Sequence, residues 1–332
     1  MVSSGGHYFS LLDCMAQLKL LRSNTILVLF YLADDTPTHR FFRAIQAETQ
    51  TWKAVHLIPL WPPFIRPFEK AIAVLRYLSF ARTFNGKKVQ SVICSQFEQA
   101  YMKHLYNTIA HEKIYSLDEG NAVLRVIPER IKRLKGESKD HKLYRYLGFN
   151  LTEPPSVTFF TSYDIEVLPQ DHKIDCQYEH SKKELSAKAI NEDEVWVVGS
   201  DFIESAFMTK TYYLGLLRSL KALYPEKRCV YIKHRREVAE NLKDIGEIMD
   251  IDVEVDIPIE IKILQQKELP VAVIGFYSAA LMNIYKFAEQ KMAIVGYEFD
   301  YAELLAKEHE KTIRLVYEQY RQVGITVKPL LK

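Results

Sequence analysis

Cysteine is scarce in this 332-residue chain and is not arranged for chemistry. The four thiols, Cys14, Cys94, Cys176 and Cys229, stand far apart, with no CxxC pair and no histidine at metal-ligand spacing, which excludes the usual zinc modules. They read as buried thiols of a protein kept in a reducing compartment. A long apolar run is also missing: the longest, 26–33, falls far short of the roughly 20 residues that cross a bilayer. The first residues lack a basic segment followed by an apolar stretch, so no secretory signal is expected. Charge of one sign is not in excess either, with 44 basic and 42 acidic side chains, and bulk nucleic-acid binding is disfavoured. No internal repeat and no low-complexity segment occurs. The expectation is a cytoplasmic protein, including one working peripherally at the inner face of the cytoplasmic membrane.

What is present is an ordinary core-forming composition, 48% hydrophobic and 26% charged, on a chain long enough for two domains. Short apolar runs alternate with longer amphipathic stretches, the pattern of parallel sheets with crossover helices. Candidate strands are 25–32, 54–58, 89–95 and 113–117 in the first half, and 195–199, 229–232, 253–256, 271–275 and 293–296 in the second. Helical periodicity covers 8–21, where Phe9, Leu12, Ala16 and Leu20 share a face, and 303–322 reads as one terminal helix. The rhythm breaks within 150–193, at Pro154-Pro155 and a polar stretch, so two Rossmann-like domains are expected, 1–160 and 161–332. Met1 to Gly6 read as a strand end and its loop; either the first strand is very short or the true start lies upstream.

Four segments carry side chains suited to chemistry. Asp118-Glu119-Gly120 follows an apolar run and precedes a helix start, the place in an open α/β sheet where reactive groups collect. A carboxylate there can take a proton from a hydroxyl, though Asp and Gly equally make a plain turn. The run 230–232 leads into Lys233-His234-Arg235-Arg236, which can hold a phosphate, with His234 donating a proton to a leaving group; a solvated basic turn is the plainer alternative. Ser278 follows Gly275-Phe276-Tyr277 at a helix start, where its hydroxyl and free backbone N–H groups can bind an anion or simply cap the helix. Glu260, after Pro258, can accept hydrogen bonds from ribose hydroxyls or merely suit the first turn. The last three follow successive strands of the second half, which sets them along one edge of one sheet.

These residues resemble the bacterial sialyltransferase families that build lipooligosaccharide and capsular polysaccharide. Those families carry a D/E-D/E-G motif, a later His-Pro motif and a Ser/Thr-rich motif beyond it, matched here by Asp118-Glu119-Gly120, His234 and Ser278. The stretch 195–284, with Gly199-Ser200-Asp201-Phe202-Ile203-Glu204 and Pro258-Ile259-Glu260, looks most like the lipooligosaccharide sialyltransferases, and the Ser3-Ser4-Gly5-Gly6 loop suits the same group. Two departures stand out. Arg235 occupies the position of the usual proline, and the usual serine pair is Ser278-Ala279.

The resemblance implies a GT-B type α/β enzyme, two Rossmann-like domains facing across a cleft, that transfers sialic acid from CMP-sialic acid with inversion to a glycan or glycolipid hydroxyl. It makes Asp118 or Glu119 the general base and His234 the acid or phosphate clamp. Ser278, Ala279, Lys233, Arg235, Gly199 and Ser200 become donor-binding residues, and Glu260 holds the ribose. Gly5, Gly6 and Gly120 fall on the acceptor side, and no metal or cofactor is called for. Related enzymes allow a homodimer. The basic series Arg125, Arg130, Lys132, Arg133, Lys135, Lys139, Lys142 and Arg145, together with Trp61-Pro62-Pro63-Phe64 and the aromatics of 77–84, could meet an anionic glycolipid or membrane surface, or be a solvated face and core. Rival readings are a transferase for another CMP-activated acidic sugar, such as Kdo, and a non-catalytic glycan- or nucleotide-binding protein.

Overall fold

A computed structural model describes all residues except 34, 48–50, 61–66, 118–122, 137–141, 255–256, 289–290 and 331–332. It divides into two compact units, Met1–Gln177 and Tyr178–Lys332. The division lies beyond 160/161 because two short strands of the connecting stretch belong to the first sheet.

The first unit contains α1 (Gly5–Gln17), β1 (Ile26–Leu32), α2 (Thr36–Ala47), β2 (Ala54–Leu60), α3 (Pro67–Arg82), β3 (Lys88–Cys94), α4 (Ala100–Thr108), β4 (Ala110–Leu117), α5 (Val123–Leu134), α6 (Lys142–Tyr146), β5 (Thr158–Thr161) and β6 (His172–Asp175). All its strand pairs are parallel, in a β1-β2 pair and a β3-β4-β5-β6 sheet. Residues 1 and 2 join them. Val2 N donates to Val28 O (3.0 Å) and Val2 O accepts from Phe30 N (2.8 Å), while Met1 N donates to Ile93 O (2.7 Å) and Met1 O accepts from Ser95 N (2.9 Å). Val2 bridges Leu29 in parallel, so this segment lies between β1 and β3 and leads directly into α1. Ser4 caps that helix by accepting from His7 N, so Gly5 and Gly6 form its first turn and are not a loop.

The second unit contains α7 (Glu179–Ser186), β7 (Ala189–Val198), α8 (Lys210–Ala222), β8 (Arg228–Ile232), α9 (Ala239–Gly246), β9 (Asp250–Asp252), α10 (Ile259–Gln265), β10 (Glu268–Gly275), α11 (Ala279–Ala288), β11 (Ala293–Glu298), α12 (Glu310–Val323) and β12 (Thr326–Pro329). Its six parallel strands lie in the order β9-β8-β7-β10-β11-β12. Counted from β7 this is 3-2-1-4-5-6, the doubly wound Rossmann order. Val195–Val198 and Val273–Phe276 are buried throughout, as expected of parallel strands covered on both faces.

Two second-half elements differ from their sequence reading. The strand expected at 253–256 ends earlier, as β9, and 255–256 lie outside the described residues. The helix expected from 303 begins at Glu310, after 3-10 turns at Tyr301–Glu303 and Lys307–His309. Asp300 caps the first turn, and Leu305 N donates to Phe207 O (2.7 Å), which holds the chain off a continuous helical path. From there Ile313, Val316, Tyr317 and Tyr320 bury one face of α12, and Gly324 at φ 98° closes it.

Candidate functional site

In a 3-2-1-4-5-6 sheet the winding reverses between the first and fourth strands, here β7 and β10, and the crevice beyond their carboxyl ends is where ligands bind. Gly199-Ser200 leave β7, Lys233-His234 leave the neighbouring β8, and Ser278 follows β10. Two of the four sequence-derived segments, those of His234 and Ser278, therefore lie on one edge, together with Gly199-Ser200 of the resembled stretch.

The β7 and β8 loops are in contact. Gly199 N donates to Ile232 O (2.9 Å), and a Cβ on Gly199 would lie 2.7 Å from Ile232 O, 2.8 Å from Glu237 Oε2 and 2.9 Å from His234 N. Only glycine fits such a crossing. Beneath it, Glu237 is 4% exposed and closes a tight turn: its N–H donates to His234 O (3.1 Å) and its Oε2 accepts from His234 N (2.6 Å). Oε1 accepts from the Tyr231 hydroxyl (2.5 Å), which lies 2.7 Å from that of Tyr213. Burial outweighs these hydrogen bonds and raises the Glu237 carboxyl to about 8.

His234 is half-buried, and its Nδ1 accepts from Arg236 N (3.4 Å), which leaves Nε2 as the protonated nitrogen of the neutral ring. Burial, then the Arg235 and Arg236 charges, hold its pKa below the ordinary value against the opposing pull of Asp201. The ring is thus neutral at pH 7. Asp201 accepts from Ser205 Oγ (2.8 Å) and pairs with Arg236 Nη1 (3.2 Å). Although burial would raise it, His234 together with these partners keeps its carboxyl below the usual range. Glu204 Oε1 accepts from Val238 N (3.1 Å) and Asn241 Nδ2 (2.9 Å), tying the β7 loop to α9. Ser200 Oγ and Glu204 Oε2 are buried without a hydrogen-bond partner. Buried polar atoms are nearly always paired, so both retain unmet hydrogen-bonding capacity on the β7 loop.

The β10 loop is held from the far end of the chain. The Tyr320 hydroxyl on α12 accepts from Ser278 N (3.0 Å) and donates to Ser278 O. Ser278 Oγ accepts from Ala280 N (3.2 Å), a capping role that leaves its hydroxyl hydrogen available, and Ala279 begins α11. Phe202, Tyr213 and Phe276 pack with ring centroids 5.6–6.2 Å apart behind these loops and stiffen them. Lys233 is half-buried, with its N–H on Asp252 O (3.2 Å), and Arg235 is exposed. Glu260 is 6% exposed and its Oε1 accepts from Asn283 Nδ2 (2.9 Å), so it braces α10 against α11 and is not joined to the His234 turn.

On the first unit, Asp118, Glu119 and Gly120 lie outside the described residues; β4 ends at Leu117 immediately before them. Ser3 Oγ lies 3.2 Å from His7 Nδ1 and 3.5 Å from Ser95 Oγ, which places a hydroxyl-imidazole group at the carboxyl end of β3, the neighbour of β4. The sequence reading gave this group no role, nor did it give one to Glu204, Glu237 or Tyr320. The basic series is corrected in part. Arg130 is 0% exposed and bidentate to Asp171 (2.8 and 2.9 Å), with further bonds to Glu153 (3.0 Å) and Pro154 O (3.0 Å). Arg133 pairs with Glu153 (2.7 Å) and Glu98. Neither cation can serve an outer surface. Among the described residues, all four cysteines are buried and free, and no helix is long and apolar enough to cross a membrane.

No curated protein sequence matches the chain significantly. Solved structures that it resembles at low identity include Acinetobacter baumannii MurG (13% identity over 99% of this chain and 85% of that one, TM-score 0.42). Another is the alpha/beta-galactoside alpha-2,3-sialyltransferase of Photobacterium phosphoreum (13%, 92% and 98%, TM-score 0.46). A third is Escherichia coli ADP-heptose LPS heptosyltransferase II (12%, 90% and 84%, TM-score 0.39). The alpha-2,8-polysialyltransferase family (POLYST) matches residues 68–297, more than two thirds of the chain and nearly all of the second-unit edge just described. The resemblance to bacterial sialyltransferases is thereby borne out: the chain belongs to the alpha-2,8-polysialyltransferase family, and it is a glycosyltransferase.

Proposed function

We propose that the chain transfers sialic acid from CMP-sialic acid to a hydroxyl of a cell-surface glycan, with inversion, in a GT-B arrangement of its two parallel α/β units. The observation that carries the reading is the convergence of Gly199-Ser200, His234 and Ser278 at the switch point of the second sheet. There a close-approach glycine, an orphaned buried hydroxyl and a neutral imidazole with its proton on Nε2 suit a nucleotide phosphate.

The chemistry asks for two things. The bond from the anomeric carbon to the CMP phosphate oxygen breaks, and CMP leaves with the electron pair. His234 Nε2–H donates to that oxygen, its pKa rising as the anion's charge grows, and Ser278 and Ser200 supply further hydrogen bonds. The acceptor oxygen attacks from the opposite face and its proton passes to a carboxylate, assigned to Asp118 or Glu119 at the end of β4. Lys233 and Arg235 add positive potential around the phosphate, while Glu260 fixes Asn283 on α11, where a ribose would lie. The family's name favours an acceptor that already ends in sialic acid, joined through an α-2,8 linkage.

The test is acceptor-dependent CMP release from CMP-sialic acid with a sialylated oligosaccharide, set beside CMP-Kdo, and with Asp118→Ala and His234→Ala variants of retained fold. Preference for CMP-sialic acid and collapse in both variants is expected. Turnover with CMP-Kdo alone would move the assignment to another acidic sugar, and absence of turnover with either donor would favour a binding protein.

A further inference from the structure

Nothing intrinsic to its sequence holds the turn that presents His234. Arg235 stands where the resembled motif has proline, so no ring limits the backbone after the histidine, and both Arg235 and Arg236 are exposed. The restraint comes from below. Glu237 Oε2 accepts from His234 N at 2.6 Å, and its own N–H donates to His234 O at 3.1 Å. The carboxyl group is in turn pinned by the Tyr231 hydroxyl at 2.5 Å, and Tyr231 by Tyr213 at 2.7 Å. Tyr213 and Tyr231 are 0% exposed. The Gly199 backbone lies over the other side, close enough that a Cβ would be 2.8 Å from Glu237 Oε2. A buried carboxyl group is costly to keep, and a solvated turn of this length needs none.

We propose that Glu237 is a positioning residue for the transfer: through the His234 backbone amide, and braced by Tyr231 and Tyr213, it sets the direction in which the imidazole meets the departing phosphate. This rests on the reading of His234 given above. Glu237 touches neither donor nor acceptor, and its influence on the rate runs through His234 alone.

A double-mutant cycle on the full chain tests this. Glu237→Ala, Glu237→Gln, His234→Ala and Glu237→Ala in the His234→Ala background are compared for CMP release, with unfolding temperature and far-ultraviolet dichroism recorded for each. Glu237→Ala is expected to lower kcat by about 100-fold, the scale of an ångström-sized misplacement, with a smaller change in KM for CMP-sialic acid. Glu237→Gln keeps an acceptor for the His234 amide and is expected to recover most of the loss. In the His234→Ala background, Glu237→Ala is expected to cost nothing more. A merely structural role would multiply the two losses and leave Glu237→Gln without special rescue, and either result overturns the proposal. The His234 imidazole signal, followed by NMR in ¹³C-histidine-labelled protein, gives a readout independent of turnover. It is expected to move in Glu237→Ala and hold in Glu237→Gln, and an unmoved signal in both overturns the coupling. Wild-type turnover in His234→Ala would instead defeat the reading of His234 itself.

Discussion

Gly199→Ala is the smallest change that reaches the site, a single methyl group. The added Cβ would sit 2.7 Å from Ile232 O, 2.8 Å from Glu237 Oε2 and 2.9 Å from His234 N. Two of these atoms are backbone, and the third belongs to a buried carboxyl group held at both oxygens. None is the free end of a flexible side chain, so relief requires the β8 loop to move away from β7 by several tenths of an ångström. Overpacking of this kind costs about 1–3 kcal/mol, or a fall of roughly 2–10 °C in unfolding temperature for units of this size. The hydrogen bond Gly199 N to Ile232 O (2.9 Å) lies on the line of separation and weakens with it. Because the displaced segment carries His234, kcat/KM for CMP release is expected to fall by about 100-fold, well beyond what the stability loss explains at 25 °C, where the variant remains folded. Calorimetry and steady-state CMP release provide the two numbers. An alanine variant with wild-type unfolding temperature and wild-type kcat/KM would refute the claim that the β7 and β8 loops are locked together at Gly199.

Arg130→Met leaves Asp171 and part of Glu153 without the guanidinium that satisfies them, in a place that water does not reach. Removing one partner of such a buried group costs about 3–5 kcal/mol, to be read from denaturant unfolding; a variant as stable as wild type would show the cluster to be dispensable. Glu237 predicts a pH effect on stability. Its folded value of about 8 lies above the ordinary glutamate value of 4.5, so its contribution is complete below pH 4.5 and is lost as pH rises through 8. Relative to Glu237→Gln, wild type should lose stability across this window with a slope of up to one proton, about 1.4 kcal/mol per pH unit. Parallel stability curves for the two proteins would contradict it.

Strands buried on both faces were legible because their apolar runs have no other use. β1, β7, β8 and β10 begin or end within a few residues of their sequence reading, apart from amino-terminal extensions of β7 by Ala189–Glu194 and of β10 by Glu268-Leu269-Pro270. β6 (His172–Asp175) and β12 (Thr326–Pro329) were not legible: both are edge strands, where one side faces no partner strand and polar residues are tolerated. Missing β6, together with the four-residue β5, also pulled the expected domain boundary forward. His234 and Ser278 could be singled out because each lies within three residues of a strand's carboxyl end, a position that local pattern reveals, whereas Gly199 entered with the resemblance. Glu237 and Tyr320 could not, since what they do depends on contacts across the fold, Tyr320 with a residue 42 positions away. Arg130 misled for the same reason. Within its helix it belongs to a basic stripe, and only the fold supplies Asp171, 41 positions on.

The central claim is that His234, delivered by β8 to the switch point of the second sheet, handles the leaving phosphate in sialic acid transfer. The most direct test is acceptor-dependent CMP release by wild type and His234→Ala at saturating CMP-sialic acid, with both proteins shown to be folded. Loss of a positioned acid predicts a fall in kcat of about 100- to 10,000-fold. Equal turnover by the two proteins would contradict the claim.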